Sequence, residues 1–400
     1  MFWNSFGSIV NLGCQWALNV LIVRLSNGFD SAGIYSLAVS VYAIFAPIAQ
    51  YRMYTYQVSD VRNENTTGEY LAFRVLTNAV ALIICMIYAC VTCPFESLST
   101  ILLYSFYKSI TLLIDVFHAC DQRNGRMDYM GKSLAMQGAL SSFSFVFVYI
   151  TSHSLDFALL SMSIAVALVG IVYDFPKTKQ FGPIVPRISC AKAKYLSSHC
   201  LPIVLAGIAA SATPSLPRQF LADYLGSAAL GVYASVAAPV AIIQMGASYI
   251  YNPLLGYFSE RYANGDKKGF LRLFFNSLLA IAFIGICASV LLEFIGTDFL
   301  ILIFGENIRQ GASLLTPLVI FAIFTGVQWF LNDILISIRE FRGTFLSSLV
   351  SLIICLIGAW PCIHYFESNG VTVIGLISCL IGILIMLIYL RLHLASLSNQ

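Results

Sequence analysis

The sequence predicts an all-α polytopic membrane protein of about 12 transmembrane helices in two six-helix bundles, and three observations carry that prediction. Of 400 residues, 59% are hydrophobic and 10% charged, against about 45–50% and about 25% in a soluble domain. A water-facing shell cannot be built from that composition. The apolar residues come in runs of about 20, the length an α-helix needs to cross a hydrocarbon core about 30 Å thick. Runs such as SLLAIAFIGICASVLLEFI also fail to alternate apolar with polar, as the strands of an outer-membrane barrel must.

Hydropathy places the spans near 1–23, 32–55, 69–91, 98–119, 132–151, 155–175, 195–217, 227–255, 270–294, 311–335, 344–362 and 371–392. Span one starts at Met1 with no basic n-region and no small-residue cleavage site, so it reads as a retained helix rather than a signal peptide. Span two opens on Gly33-Ile34-Tyr35 and contains Pro47; span eight opens on Gly231-Val232-Tyr233 and contains Pro239. Arg24 precedes the first of these echoes and Arg218 the second, as a half-and-half repeat requires. The run FLILIF, 299–304, is too short to cross a bilayer and is expected at the interface.

The 22 Lys and Arg divide unevenly between the two sets of connections. One set holds 18, namely Arg52, Arg62, Arg74, Arg123, Arg126, Lys132, Lys177, Lys179, Arg187, Lys192, Lys194, Arg261, Lys267, Lys268, Arg272, Arg339, Arg342 and Arg391. The alternate set holds Arg24, Arg218 and Arg309, and Lys108 lies within a span. The positive-inside rule then puts both termini in the cytoplasm. Residues 176–194 form a basic cytoplasmic linker between an N-terminal bundle, 1–175, and a C-terminal bundle, 195–400. Six spans per half make the halves parallel repeats.

A net charge of +3 spread over this length leaves no basic cluster for nucleic acid. Most of the 11 cysteines sit inside apolar segments as small hydrophobes. Cys90 and Cys93 form a CxxC with no second half, so the pair reads as coincidence. The Asn65-Thr66-Thr67 sequon falls in a connection expected to be cytoplasmic and reads as chance.

Polar groups inside spans mark function, because a charge near the bilayer centre costs about 2.5–3.5 kcal/mol. Lys108 sits halfway along span four, and Thr100, Tyr104, Lys108, Thr111, Asp115 and His118 fall in one arc of a helix. Such an arc is expected to border a watery cavity; a Lys108–Asp115 pair is the plainer reading. Span one carries Asn4, Ser8, Asn11, Gln15 and Asn19 on one face, which serves either a wet cavity or contact between helices. Arg24 is assigned to the cavity's outer rim. Span seven carries Ser211, Ser215 and Arg218 on one face, with Pro214 and Pro217 permitting a bend. In span ten, Thr325, Gln328 and Asn332 repeat the spacing of span four, with Asp333 beside them. Fixed cations at Lys108, Arg24 and Arg218 imply an anionic ligand. Carboxamides and hydroxyls beside them imply one rich in hydroxyls, which together point to a phosphorylated glycan.

On WNSFGSIVNLGCQWALNVLIVRL with AGIYSLAVSVYAIFAPIAQYRMY, on PLLGYFSERYANGD and on FLILIFGENIRQGASLLTPL, the chain resembles the polysaccharide transporter family. That family lies in the multidrug/oligosaccharidyl-lipid/polysaccharide exporter superfamily, and the resemblance is to O-antigen flippases of the Wzx type. It implies a MATE-like fold with a central cleft lined by spans one, two, seven and eight. It also implies a substrate, an undecaprenyl-diphosphate-linked oligosaccharide moved from the cytoplasmic to the periplasmic leaflet of a bacterial inner membrane. Alternating access is the expected mechanism. Lys108, Arg24 and Arg218 are expected to bind the diphosphate, the carboxamides of Asn11, Gln15 and Asn19 to contact sugars, and Tyr104 and Thr111 to bind substrate beside them. Asp115, His118 and Asp333 are candidates for coupling to a proton or sodium gradient, or are structural partners. No cofactor, metal or enzymatic activity is expected; a glycan polymerase and chain-length machinery are candidate partners.

Three rival readings stand beside this one. A membrane glycan polymerase is expected to carry a large charged external loop, which this chain lacks. A cation-coupled multidrug exporter of the same fold is expected to have more cavity carboxylates than cations. A major-facilitator sugar carrier is expected to show G-x-x-x-D-R-x-G-R after span two, where QVSDVRNENTTGEY stands.

Overall fold

The computed structural model describes residues 2–26, 28–60 and 64–396, all helix, turn or irregular backbone with no strand among them. Met1, Arg62 and the last four residues lie outside the described residues. The helices are α1 (Phe2–Leu25), α2 (Asp30–Gln50), α3 (Met53–Ser59), α4 (Thr67–Thr92), α5 (Leu98–Arg123), α6 (Met127–Ser152), α7 (Leu155–Val169) and α8 (Phe175–Thr178). They continue as α9 (Cys190–Leu225), α10 (Ser227–Tyr251), α11 (Leu255–Ala263), α12 (Lys267–Phe304), α13 (Leu315–Ser337), α14 (Phe341–Phe366) and α15 (Ser368–Ser396). Together they make 12 stretches long and apolar enough to cross a membrane, in the order expected. The second stretch is α2 with α3, and the eighth is α10 with α11.

The chain divides into two units, Met1–Ser211 and Ala212–Gln400, so that α9 begins in the first and ends in the second. In the first unit α1 lies against α6 through glycines. A Cβ on Gly7 would stand 1.8 Å from Gly131 O, and one on Gly131 would stand 2.0 Å from Trp3 O. Small residues are what lets two backbones approach this closely in lipid, where dispersion rather than water exclusion drives association. α4 starts at a capping box: Thr66 Oγ1 accepts from the N–H of Glu69, whose carboxylate accepts from the N–H of Thr66. Lys192 Nζ reaches the same carboxylate at 2.8 Å, tying the start of α9 to α4.

In the second unit Phe258, Phe270, Phe274 and Phe330 pack ring on ring with centroids 5.1 to 5.9 Å apart. Such pairs add about 0.5–1.5 kcal/mol each beyond their buried area. α14 and α15 meet through small residues and hydroxyls: Ser347 Oγ donates to Gly382 O at 3.0 Å and Ser351 Oγ to Ser378 O at 2.9 Å. The opposite sides of the helices carry exposed large apolar residues such as Ile87, Leu279, Phe283 and Phe294, the surface a lipid-facing helix presents.

Two expectations change. FLILIF is not a separate interfacial segment: no proline interrupts the run, and α12 continues through it to Gly305, whose φ of 95° ends the helix. α9 is helical through Pro214 and Pro217, which leaves the expected bend there without a break in the helix. An interruption that the sequence did not announce lies in span two, at Tyr51 and Arg52, which have φ of 44° and 55°. Arg74 is not a connection residue either, since it lies within α4 and is 1% exposed.

Candidate functional site

The densest ionic group among the described residues is in the first unit, around α5. Lys108 stands about halfway along this helix, with Nζ 5.7 Å from the ring centroid of Tyr104 and 5.2 Å from that of Tyr107. Tyr104 is itself fixed by edge-to-face contacts with Tyr35 and Tyr42 of α2, at 5.5 and 6.0 Å. The ammonium has no carboxylate within 4.0 Å and no hydrogen-bond acceptor among the described residues. Ring faces attract a cation by about 0.5–2 kcal/mol, less than a charged hydrogen bond gives. Lys108 is therefore held but not neutralised.

Two turns along α5 stands Asp115, whose side chain is 37% exposed. It lies within electrostatic reach of Lys108, Arg74 and His118, yet among the described residues its ion-pair contact is with His118 Nδ1 at 3.9 Å. The expected Lys108–Asp115 pair is thus an attraction at a distance, as two helical turns of separation dictate. His118 is buried, and its Nε2 meets Asp174 Oδ1 at 3.2 Å. Asp174 Oδ2 accepts from Ser133 Oγ at 2.8 Å, and Ser133 Oγ accepts from Gln137 Nε2 at 2.9 Å. Asp121 accepts from Thr178 Oγ1 at 3.1 Å. Asp174 closes a π-helical turn, Gly170–Asp174, after α7. Gly170 permits that approach, because a Cβ there would stand 2.9 Å from the Ile114 side chain of α5.

The predicted arc is therefore exposed only in its middle. At one end Thr100 is buried with Oγ1 donating to Asp156 Oδ1 at 2.6 Å, and at the other His118 is buried on Asp174. Lys108, Thr111 and Asp115 between them keep partial exposure, with Thr111 Oγ1 turned back to Lys108 O at 2.7 Å.

The carboxamide stripe of α1 is divided between two roles. A Cβ on Gly138 of α6 would stand 2.9 Å from Asn11 Cα, so Asn11 sits at the α1–α6 seam. Gln15 Nε2 donates to Asn11 Oδ1 at 3.3 Å, and Asn19 Nδ2 donates to Gln15 O at 3.0 Å, so the stripe bonds along its own helix. All three keep partial exposure. Arg24 is exposed in the last turn of α1.

Arg218 and Asp333 belong to the second unit and are not brought together there. Arg218 lies 6.0 Å from the ring of Tyr233, whose hydroxyl accepts from Thr372 Oγ1 at 3.4 Å. Asp333 Oδ2 accepts from Tyr251 Oη at 2.9 Å, and Oδ1 accepts from Asn332 Nδ2 at 3.3 Å. Tyr233 and Tyr251 stand near opposite ends of α10, about 27 Å apart along its axis.

Sequence reasoning missed Asp174, Asp121 and Arg74. The signal for the first was an acidic residue directly after an apolar run and four residues beyond Gly170. Among the described residues no group of three or more His, Cys, Asp or Glu is arranged to hold a metal ion.

No protein-family model matches the chain. It is 25% identical over 366 residues, 91% of each chain, to a capsular polysaccharide biosynthesis protein, CapF, of Staphylococcus aureus. Among solved structures it is similar to a multidrug resistance MATE family transporter of the MOP superfamily in an inward-facing conformation. There the TM-score is 0.73 at 12% identity, covering 98% of this chain and 99% of that one. It is also similar to the lipid II flippase MurJ, with a TM-score of 0.75 at 10% identity, covering 100% of this chain and 90% of that one. The chain thus has the fold of the MATE and MurJ transporters and is related, along nearly its whole length, to a protein of polysaccharide biosynthesis, in keeping with the polysaccharide transporter family.

Proposed function

We propose that this protein is a flippase for polyprenyl-diphosphate-linked oligosaccharides, moving them between leaflets of a bacterial cytoplasmic membrane by alternating access. The single observation that carries the reading is Lys108: a cation halfway along a membrane helix, braced by two tyrosine rings and with no carboxylate within 4.0 Å among the described residues. In low dielectric such a group gains most from an anion brought to it, and a diphosphate supplies one. The fold supports a transporter, and the relation to a capsular polysaccharide protein supports a glycan as cargo. Arg24 and Arg218 serve as further cations along the route. The carboxamides of Gln15 and Asn19 and the hydroxyl of Thr111 offer donors and acceptors to sugar hydroxyls. The polyprenyl tail stays in lipid. Both termini face the cytoplasm in this reading, the protein performs no covalent chemistry, and polymerase and chain-length proteins act on what it delivers.

Asp115, with His118 and Asp174 behind it, is the candidate group for coupling to a proton or sodium gradient; Asp333 on Tyr251 is the second.

The test is a lipid extract from a strain lacking the gene, compared by mass spectrometry with strains complemented by wild type and by Lys108→Ala. Accumulation of a polyprenyl-diphosphate oligosaccharide that wild type clears is expected, with Lys108→Ala failing at normal membrane abundance. Unpolymerised repeats at the cell surface instead would make the protein a polymerase. Unchanged lipid-linked sugars would overturn the glycan reading.

A further inference from the structure

Span two is interrupted where its sequence offers no glycine. α2 closes with the N–H of Tyr51 donating to Pro47 O at 2.9 Å, and α3 resumes at Met53. Tyr51 and Arg52 between them are both left-handed, a conformation in which the Cβ of an L-residue crowds its own carbonyl. Such a pair persists only where the surroundings hold it.

The holding group is Arg74 of α4, at 1% exposure. Its Nη1 donates to Ala49 O at 3.1 Å and to Gln50 O, and Thr77 Oγ1 donates to Ala49 O at 3.0 Å. In an unbroken helix those two carbonyls would receive the N–H groups of Met53 and Tyr54. The guanidinium thus stands in for the hydrogen bonds that the interruption removes. Beyond it, Tyr51 Oη donates to Ser197 O at 2.9 Å and Gln57 Nε2 to Val116 O at 3.0 Å, so α3 is docked in its displaced direction.

Arg74 has no ion pair within 4.0 Å among the described residues, and its Nε lacks a hydrogen-bond partner. Within its electrostatic reach lies Asp115, the half-exposed carboxylate that also feels Lys108 and His118. A guanidinium prefers a carboxylate to a pair of carbonyls wherever the two can meet. One buried cation therefore holds a bend on backbone carbonyls while a carboxylate lies within its electrostatic reach.

We propose that Arg74 is the latch of a hinge at Tyr51–Arg52. On the carbonyls of Ala49 and Gln50 it keeps span two bent; transferred to Asp115 it returns those carbonyls to the backbone and lets the span straighten. The trigger rests on the anion reading above: a diphosphate at Lys108 takes up the charge that draws Asp115 that way and repels Asp115 towards Arg74. Among the described residues the other titratable group within electrostatic reach of Arg74 is Tyr42, while His118 faces Asp115, and neither offers the guanidinium a carboxylate. Arg74 is a positioning residue in this account, because it acts on the shape of the path without touching cargo.

The experiment uses the full chain with spin labels carried on p-acetylphenylalanine at the exposed positions Ser59, on α3, and Asn124, at the end of α5. Pulsed electron resonance reads the distance between them, with farnesyl diphosphate as the anionic probe. Wild type is expected to give one distance alone and a second population with the probe. Asp115→Asn keeps the first distance whether or not the probe is present. Arg74→Met shows the second population without the probe. Arg52→Val, at an exposed site outside the latch, does the same because a β-branched residue resists the left-handed form, and it keeps the test decisive if Arg74→Met fails to fold. An unchanged single distance in Arg52→Val and in any folded Arg74→Met overturns the hinge. A shift in those variants with no response of wild type to the probe supports the hinge and overturns the anion trigger.

Discussion

His118 Nε2 and Asp174 Oδ1 meet at 3.2 Å with both side chains sealed from solvent, joining α5 to the π-helical turn after α7. Removing one partner of a buried pair strands the other, at about 3–5 kcal/mol, whereas removing both costs less than the sum. Asp174→Leu is therefore expected to lower the apparent Tm in detergent sharply. Asp174→Leu combined with His118→Leu is expected to recover part of that loss. Additive losses in a thermal-unfolding double-mutant cycle would show that the two groups act independently.

The α1–α6 seam predicts opposite outcomes for glycines in one helix. Gly7→Ala puts a Cβ 1.8 Å from Gly131 O, and Gly13→Ala meets nothing within 4 Å. The first is expected to cost about 1–3 kcal/mol by overpacking. The second is expected to be neutral or to gain up to about 1 kcal/mol from helix propensity. Thermal unfolding of the two purified variants checks the sign of each.

Asp60, just past the second span, predicts a pH effect. Burial opposes its charge, but the N–H groups of Glu64 and Asn65, the Tyr70 hydroxyl and Arg123 outweigh burial and hold its carboxyl below the usual range. A depressed carboxyl stabilises the fold above the unfolded value, about 3.9, and loses that contribution as pH falls through the folded value. The Tm difference between wild type and Asp60→Asn is expected to be largest near pH 7 and to shrink below about pH 4. A difference constant from neutral to acid pH would show that the carboxylate's charge contributes nothing.

The 12 spans were legible because each is a long apolar run bounded by short polar, basic, proline- or glycine-containing connections, and the length of an apolar run decides whether a helix can cross. Lys108 was legible because a lysine in such a run has no cheap explanation. The bend in span two was not, since Pro47 marks a weak point but the interruption falls four residues later and is held by Arg74, 24 residues from Gln50. Arg74 itself, early in span three, looks like one more basic residue at a membrane surface. Asp174 was hidden for a related reason: a π-helical turn carries it inward, and no periodicity announces one extra residue in a turn. The stripe on α1 was visible, but spacing cannot tell a face turned to water from one turned to α6. Glycines at 7, 131 and 138 settle that for Asn11.

The central claim is that the ammonium of Lys108 receives the diphosphate of the cargo. The most direct measurement is translocation by purified protein in liposomes, scored with a fluorescent polyprenyl-diphosphate disaccharide, for wild type, Lys108→Arg and Lys108→Met. An interaction between a charged donor and a phosphate is worth about 1.5–3 kcal/mol, so Lys108→Met is expected to lose at least about tenfold in rate at normal reconstitution. Lys108→Arg is expected to keep most of it. Equal rates in wild type and Lys108→Met would contradict the account.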